Sequence, residues 1–134
     1  MVEELRISTP GKGLHEFTDR VRQATARAEI DEGLCTVFVR HTSCSLIIQE
    51  NADPSARRDL ERWLERHVPE DDALYTHTSE GPDDMPAHIK AALTQTSIGI
   101  PIVSGRLALG TWQGIYLWEH RSRAHERRIV LHIA

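Results

Sequence analysis

The chain has 134 residues and a mass of 15.2 kDa, with 16 Lys and Arg against 20 Asp and Glu and a formal net charge of −4 at pH 7. That length builds one domain, residues 1–134, around a single hydrophobic core. The acidic balance, with no basic stripe interleaved with aromatics, argues against a nucleic-acid partner, and no apolar run approaches the length of a membrane span.

In chain order, Val2 to Ile7 alternates, with Leu5 and Ile7 on one face, and predicts a strand. Pro10-Gly11-Lys12-Gly13 is a turn. Leu14, Phe17, Val21, Ala24 and Ala28 recur at helical spacing and predict an amphipathic helix from Leu14 to about Ala28, ended by Asp31-Glu32-Gly33. Leu34 to Arg40 is a strand, and Ser43 to Gln49 a second. Asp53-Pro54 starts the next helix, because Asp caps well and Pro suits the first helical position. Its apolar stripe is Ala56, Leu60, Trp63 and Leu64, with Arg and Glu outside. Asp84-Met85-Pro86 carries the same signal for a short helix through about Thr94. Beyond it the pattern is strand: Ser97–Val103, Arg106–Leu109, Gly114–His120 and Arg128–Ile133. The order is not a regular βαβ alternation, which predicts an α+β domain with a mixed or antiparallel sheet and about three helices.

Eight histidines are many for this length and raise the expectation of a site. His41-Thr42-Ser43-Cys44-Ser45 interrupts two apolar strands. An imidazole and small hydroxyls at a strand end bind a carboxylate or phosphate, or else serve a polar edge. In Glu50-Asn51-Ala52-Asp53, Asp53 is explained as the cap, and Glu50 is free to act as a base or metal ligand. His77 and His88 are too far apart for a local helical pair, and Asp84 reads as a cap. A site built from His41, His77 and His88 would suit a three-histidine divalent metal centre with an open position, or a phosphate pocket of imidazoles. Glu119 ends an apolar strand and is rim or site. The basic run from His120 to Arg128 reads as a solvated hairpin. Gly110-Thr111-Trp112-Gln113-Gly114 sets an indole and a carboxamide between two glycines, either to present them to a ligand or to plug the core and satisfy a loop. Cys35 and Cys44 read as reduced thiols, and with no signal-peptide pattern the expected location is cytoplasmic.

The run from Ser97 to Glu119, with His41-Thr42-Ser43, Glu50-Asn51-Ala52-Asp53-Pro54 and Glu80-Gly81-Pro82-Asp83-Asp84-Met85-Pro86-Ala87-His88-Ile89-Lys90, resembles the YjbQ-like family over nearly the whole chain. The resemblance implies a single α+β fold assembled as a homotrimer. It also implies a secondary thiamine-phosphate synthase activity, joining a pyrimidine diphosphate to a thiazole phosphate with release of diphosphate. It draws His41 and Ser43 towards a site.

The expected function is accordingly that of a small cytoplasmic enzyme acting on a phosphorylated metabolite. His41, Glu50, His88 and Glu119 are its candidate catalytic groups. Ser43, Asn51, Trp112 and Gln113 are candidate substrate contacts, and His41, His77 and His88 candidate ligands of a divalent ion, zinc or magnesium. The rival is a non-catalytic oligomer that binds a metal or an anionic metabolite through the same residues.

Overall fold

The computed structural model describes residues 1–134, the whole chain, as eight strands and three helices. In order these are β1 (Val2–Thr9), β2 (Gly13–Glu16), α1 (Thr18–Ala28), β3 (Glu32–Val39), β4 (Cys44–Glu50), α2 (Pro54–His67), α3 (Asp84–Leu93), β5 (Ser97–Val103), β6 (Arg106–Leu107), β7 (Gln113–Glu119) and β8 (His125–Ile133). They form two antiparallel sheets, a five-stranded one in the order β1-β8-β3-β5-β6 and a three-stranded one in the order β2-β7-β4. The α+β expectation holds, and the sheets are antiparallel throughout.

Strand periodicity explains the layering. Leu5 and Ile7 of β1, Val37 and Val39 of β3, Ile98, Ile100 and Ile102 of β5, and Ile129, Leu131 and Ile133 of β8 all point inward from the five-stranded sheet. They meet Cys44 and Leu46 of β4, Ile115 and Leu117 of β7, and the apolar stripe of α1. The alternate residues of β7, Tyr116 and Trp118, point the other way and pack with Leu14, Leu64 and Val68. Strand β7 is therefore buried on both faces, which accounts for its unbroken apolar run. Helix α2 covers the far side of the smaller sheet.

Three local expectations change. The segment at Leu14 is strand, not helix: Leu14 pairs with Trp118, and its N–H donates to Glu61 at 3.1 Å. Cross-strand pairing and burial against Leu64 override the helical spacing there, and the helix starts only at Thr18. Trp63 is half exposed and stacks on His67 at a ring separation of 4.0 Å instead of packing inward. Asp53 does cap α2, accepting from the Ser55 N–H at 2.9 Å, but Asp84 is not a cap; it is the first residue of α3, and it is buried.

Leu117 sits between both sheets with no exposed surface. Leu117→Ala should lower the unfolding free energy by about 2–5 kcal/mol, because the void cannot collapse between two hydrogen-bonded sheets. Guanidinium denaturation should show this as a shifted midpoint at unchanged slope.

Candidate metal centre

Helix α3 turns Asp84, Ala87 and Lys90 into the molecule. The fully buried Lys90 ammonium donates to Glu65 of α2, and Lys12 joins the same network, bonding Glu65 at 3.3 Å and also Glu70. Before the helix, Gly81 has φ of +108°, a conformation that side chains disfavour, and a Cβ there would meet the Asp83 carboxylate at 3.2 Å.

Asp84 and His88 are four residues apart and so share one helix face. His77 approaches them from the segment between α2 and α3, with Nε2 at 2.7 Å from Asp84 Oδ2. His88 Nε2 lies 3.4 Å from the same oxygen, and the three ligand atoms fall within 4.8 Å of one another. The other ring nitrogen of His88 donates to the Thr42 carbonyl at 2.9 Å. That bond fixes the tautomer in which Nε2 carries the lone pair, as metal-ligating histidines commonly do. Ligand atoms on a tetrahedron with bonds of about 2.0–2.1 Å stand about 3.3 Å apart, so the three side chains fit such an ion with small adjustments. Arg121 holds the opposite edge of the carboxylate, its Nη1 donating to Asp84 Oδ1 at 2.8 Å.

Beneath this loop lies a second charged cluster. Glu119 accepts from Thr9 Oγ1 at 2.6 Å, Arg127 Nε at 2.8 Å and the Arg121 N–H at 3.2 Å, and Arg127 Nη2 also reaches it. Burial alone would raise the Glu119 carboxyl, but the bonds from Arg127 and Thr9 and the guanidinium charge hold it below the usual carboxylate range. His120 is fully buried beside it, with Nε2 against Ser45 Oγ at 2.9 Å. Burial, reinforced by the nearby Lys90 charge, pushes its pKa down to about 3, so it stays neutral at ordinary pH.

The expected residues divide into three groups. His77 and His88 come together as ligands, joined by Asp84. His41 is not in that cluster: its Nε2 accepts the Arg128 N–H at 2.8 Å, and burial together with Arg127 lowers its pKa. Ser43 and Glu119 hold Arg127, with Ser43 Oγ accepting at 3.0 Å. Glu50, Asn51, Trp112 and Gln113 lie at the other end of the β4–β7 pair, where Glu50 is opposite Gln113, while Cys44 is opposite Glu119 at the near end. The seven residues of β4 separate the two ends by about 20 Å at roughly 3.3 Å per residue. There the Asn51 side chain donates to Glu16 at 3.1 Å, Gln113 accepts the Gly110 N–H at 2.8 Å, and Trp112 is 62 % exposed. The basic run is solvated only in part and is no hairpin: Arg123 and Arg128 are exposed, but His120 and Arg127 are buried, Arg121 is nearly so, and β7 and β8 belong to different sheets. The signal for Asp84 was present in the sequence as its four-residue spacing from His88. Its resemblance to a helix cap concealed it.

The chain belongs to the family described as UPF0047 protein YjbQ-like, whose model matches residues 3–134. It is 56 % identical over 132 residues to the UPF0047 protein sll1880 of Synechocystis, covering 98 % of this chain and 90 % of that protein. Against the UPF0047 protein YjbQ of Escherichia coli O157:H7 it is 43 % identical over 127 residues, covering 94 % and 91 %. Its fold matches the conserved hypothetical protein TT1486 of Thermus thermophilus with a TM-score of 0.88 at 32 % identity, over 98 % of this chain and 99 % of that one. An uncharacterized YjbQ/UPF0047-family protein of Clostridium acetobutylicum gives 0.86 at 34 % identity, covering 100 % and 99 %. No helix is long and apolar enough to cross a membrane.

Arg127→Ala should leave Glu119 buried and uncompensated and cost about 3–5 kcal/mol at neutral pH. Because the native pair depresses the Glu119 pKa, the stability it lends is present at neutral pH and is lost as pH falls through the folded-state value. The gap between Arg127→Ala and the parent, read by urea denaturation, should therefore narrow under acid conditions.

Proposed function

We propose that this protein is a small metal-dependent enzyme acting on a phosphorylated metabolite, with His77, Asp84 and His88 holding the divalent ion. The observation that carries this reading is the convergence of the three ligand atoms within 4.8 Å. Two imidazoles and one carboxylate oxygen leave coordination positions for water or substrate, as in catalytic zinc sites and unlike closed structural ones. A divalent ion held there supplies positive charge to phosphoryl oxygens and to a departing phosphate group. The family resemblance supports one such reaction, a weak coupling of a pyrimidine diphosphate with a thiazole phosphate in which diphosphate leaves.

Two further parts of the proposal have their own support. Assembly as a homotrimer is supported by the outward face of the five-stranded sheet, where Leu34, Phe38 and Val103 are each about half exposed. A cytoplasmic location is supported by two unpaired, buried thiols, Cys35 and Cys44. Two observations favour the non-catalytic alternative, a metal- or anion-binding protein: a concavity of about 550 Å³ among Lys12, Arg62, Glu65, Arg66 and Trp118 includes none of the three ligands, and the His77 side chain is half exposed.

Elemental analysis of protein purified without chelator should find about one divalent ion per chain, lost in a folded His88→Ala variant. Diphosphate release from the paired pyrimidine and thiazole substrates should be saturable and should vanish with the same substitution. Trp112→Ala should leave the metal content unchanged. Metal without turnover on any phosphorylated substrate would favour the binding protein, and no metal in the parent protein overturns the site. Light scattering should give a mass near three times the 15.2 kDa chain.

A further inference from the structure

The two oxygens of Asp84 have different neighbours. Oδ2 faces His77 and His88, whereas Oδ1 accepts from Arg121 Nη1 at 2.8 Å. The rest of the guanidinium is also engaged: Nε donates to Asp83 Oδ2 at 3.1 Å and Nη2 to the Glu80 carbonyl at 2.9 Å. The Ser122 N–H adds a second bond to Asp83 Oδ2 at 2.8 Å. The Arg121 side chain is only 13 % exposed, and its own N–H is tied to Glu119. A rigid planar fork thus grips the start of α3 by three acceptors at once.

We infer that Arg121 is a positioning residue that makes Asp84 a one-oxygen ligand and so selects a zinc-class ion over calcium or magnesium at the triad. The inference rests on the reading of His77, Asp84 and His88 as a metal site. A carboxylate with one oxygen held by a guanidinium cannot close on an ion through both. Calcium draws six to eight oxygen ligands and favours two-oxygen carboxylates, and magnesium demands an octahedron of oxygens. Two imidazole nitrogens and one carboxylate oxygen instead match the ligand preferences and low coordination number of zinc or cobalt. The charge of Arg121 acts in the same direction. It offsets much of the negative charge of Asp83 and Asp84, on which hard cations depend most. Lys cannot substitute, since an ammonium is a point donor and does not span three acceptors in a plane.

The test begins with a zinc titration of the parent protein in competition with calcium and magnesium, and with the absorption spectrum of the cobalt-loaded form. The parent should prefer zinc and give the intense visible bands of four-coordinate cobalt. In Arg121→Ala, Oδ1 is released, so zinc affinity should fall about 10–100-fold, as is usual when a partner of a ligand is removed. The cobalt bands should weaken towards those of a higher coordination number, and calcium or magnesium should compete better. Asp83→Asn is the control for a loosened loop: it weakens the anchor but leaves the Asp84 contact, and should keep the four-coordinate spectrum. If Arg121→Ala does not fold, the same readouts on Arg121→Lys decide. A folded Arg121 variant with unchanged cobalt bands and zinc affinity within threefold of the parent overturns the role of Arg121 alone. A parent protein that binds zinc but shows six-coordinate cobalt also overturns it. Absence of any metal binding by the parent overturns the site and the inference together.

Discussion

The structure turns on the buried pair of Glu119 and Arg127. Glu119 ends β7 in the smaller sheet, and Arg127 lies on β8 in the larger one. The carboxylate also takes the hydroxyl of Thr9 at the end of β1, and the guanidinium reaches Ser43 in the β3–β4 connection. One ion pair thus closes the same end of both sheets. Its second effect is local: the Glu119 carboxylate accepts the N–H of Arg121, two residues on, and so directs that side chain to Asp84. The candidate metal centre is therefore built outward from a charge buried beneath it.

Such a pair need not raise the net stability of the fold. Desolvating both ions consumes much of their attraction, and an apolar replacement of similar shape is often no worse. Its contribution here is to specify geometry. Apolar residues would hold the two sheets together equally well, yet they would offer no acceptor for the Arg121 N–H and no donors for Ser43. The Lys90–Glu65 pair plays the corresponding part on the inner face of α3, where an aliphatic side chain would pack but would not fix the helix to α2. Asp84 and His88 thus stand on a helix anchored at both its start and its inner face.

Much of the fold was legible from period alone. The inward residues of β1, β3, β5 and β8 follow strict alternation, and the Asp53-Pro54 signal marked the start of α2 within a residue. Four of the failures share one cause. Leu14, Asp84, Arg121 and Arg127 each have a sound local reading as helix, cap or solvated charge, and each is overruled by a partner outside its own element. Leu14 meets Trp118, Asp84 meets His77 and Arg121, and Arg127 meets Glu119. Only Asp84 left a trace in spacing. For His41 the chemistry was plausible, but the backbone N–H of Arg128 already occupies the lone pair of Nε2 that a metal would need.

The Gly110–Gly114 motif shows how structural demand can be subtracted from a conspicuous sequence. Gly114 has no room for a side chain, since a Cβ there would stand 2.6 Å from Glu16 Oε2 and 2.9 Å from Asn51 Cβ. Gln113 is used to close the turn on the Gly110 N–H, and the Trp112 carbonyl accepts from Asn51 at 3.0 Å. These contacts account for the outer glycine, the amide and the backbone of the tryptophan. They do not account for its indole, which the turn leaves exposed about 20 Å along β4 from the end beside the candidate metal centre. An apolar ring of that size gains nothing by exposure in an isolated chain. Thr111 and Trp112 are thus the members of the motif whose side chains are exposed and unused by the fold of a single copy, so the conspicuous residue is the one the fold explains least.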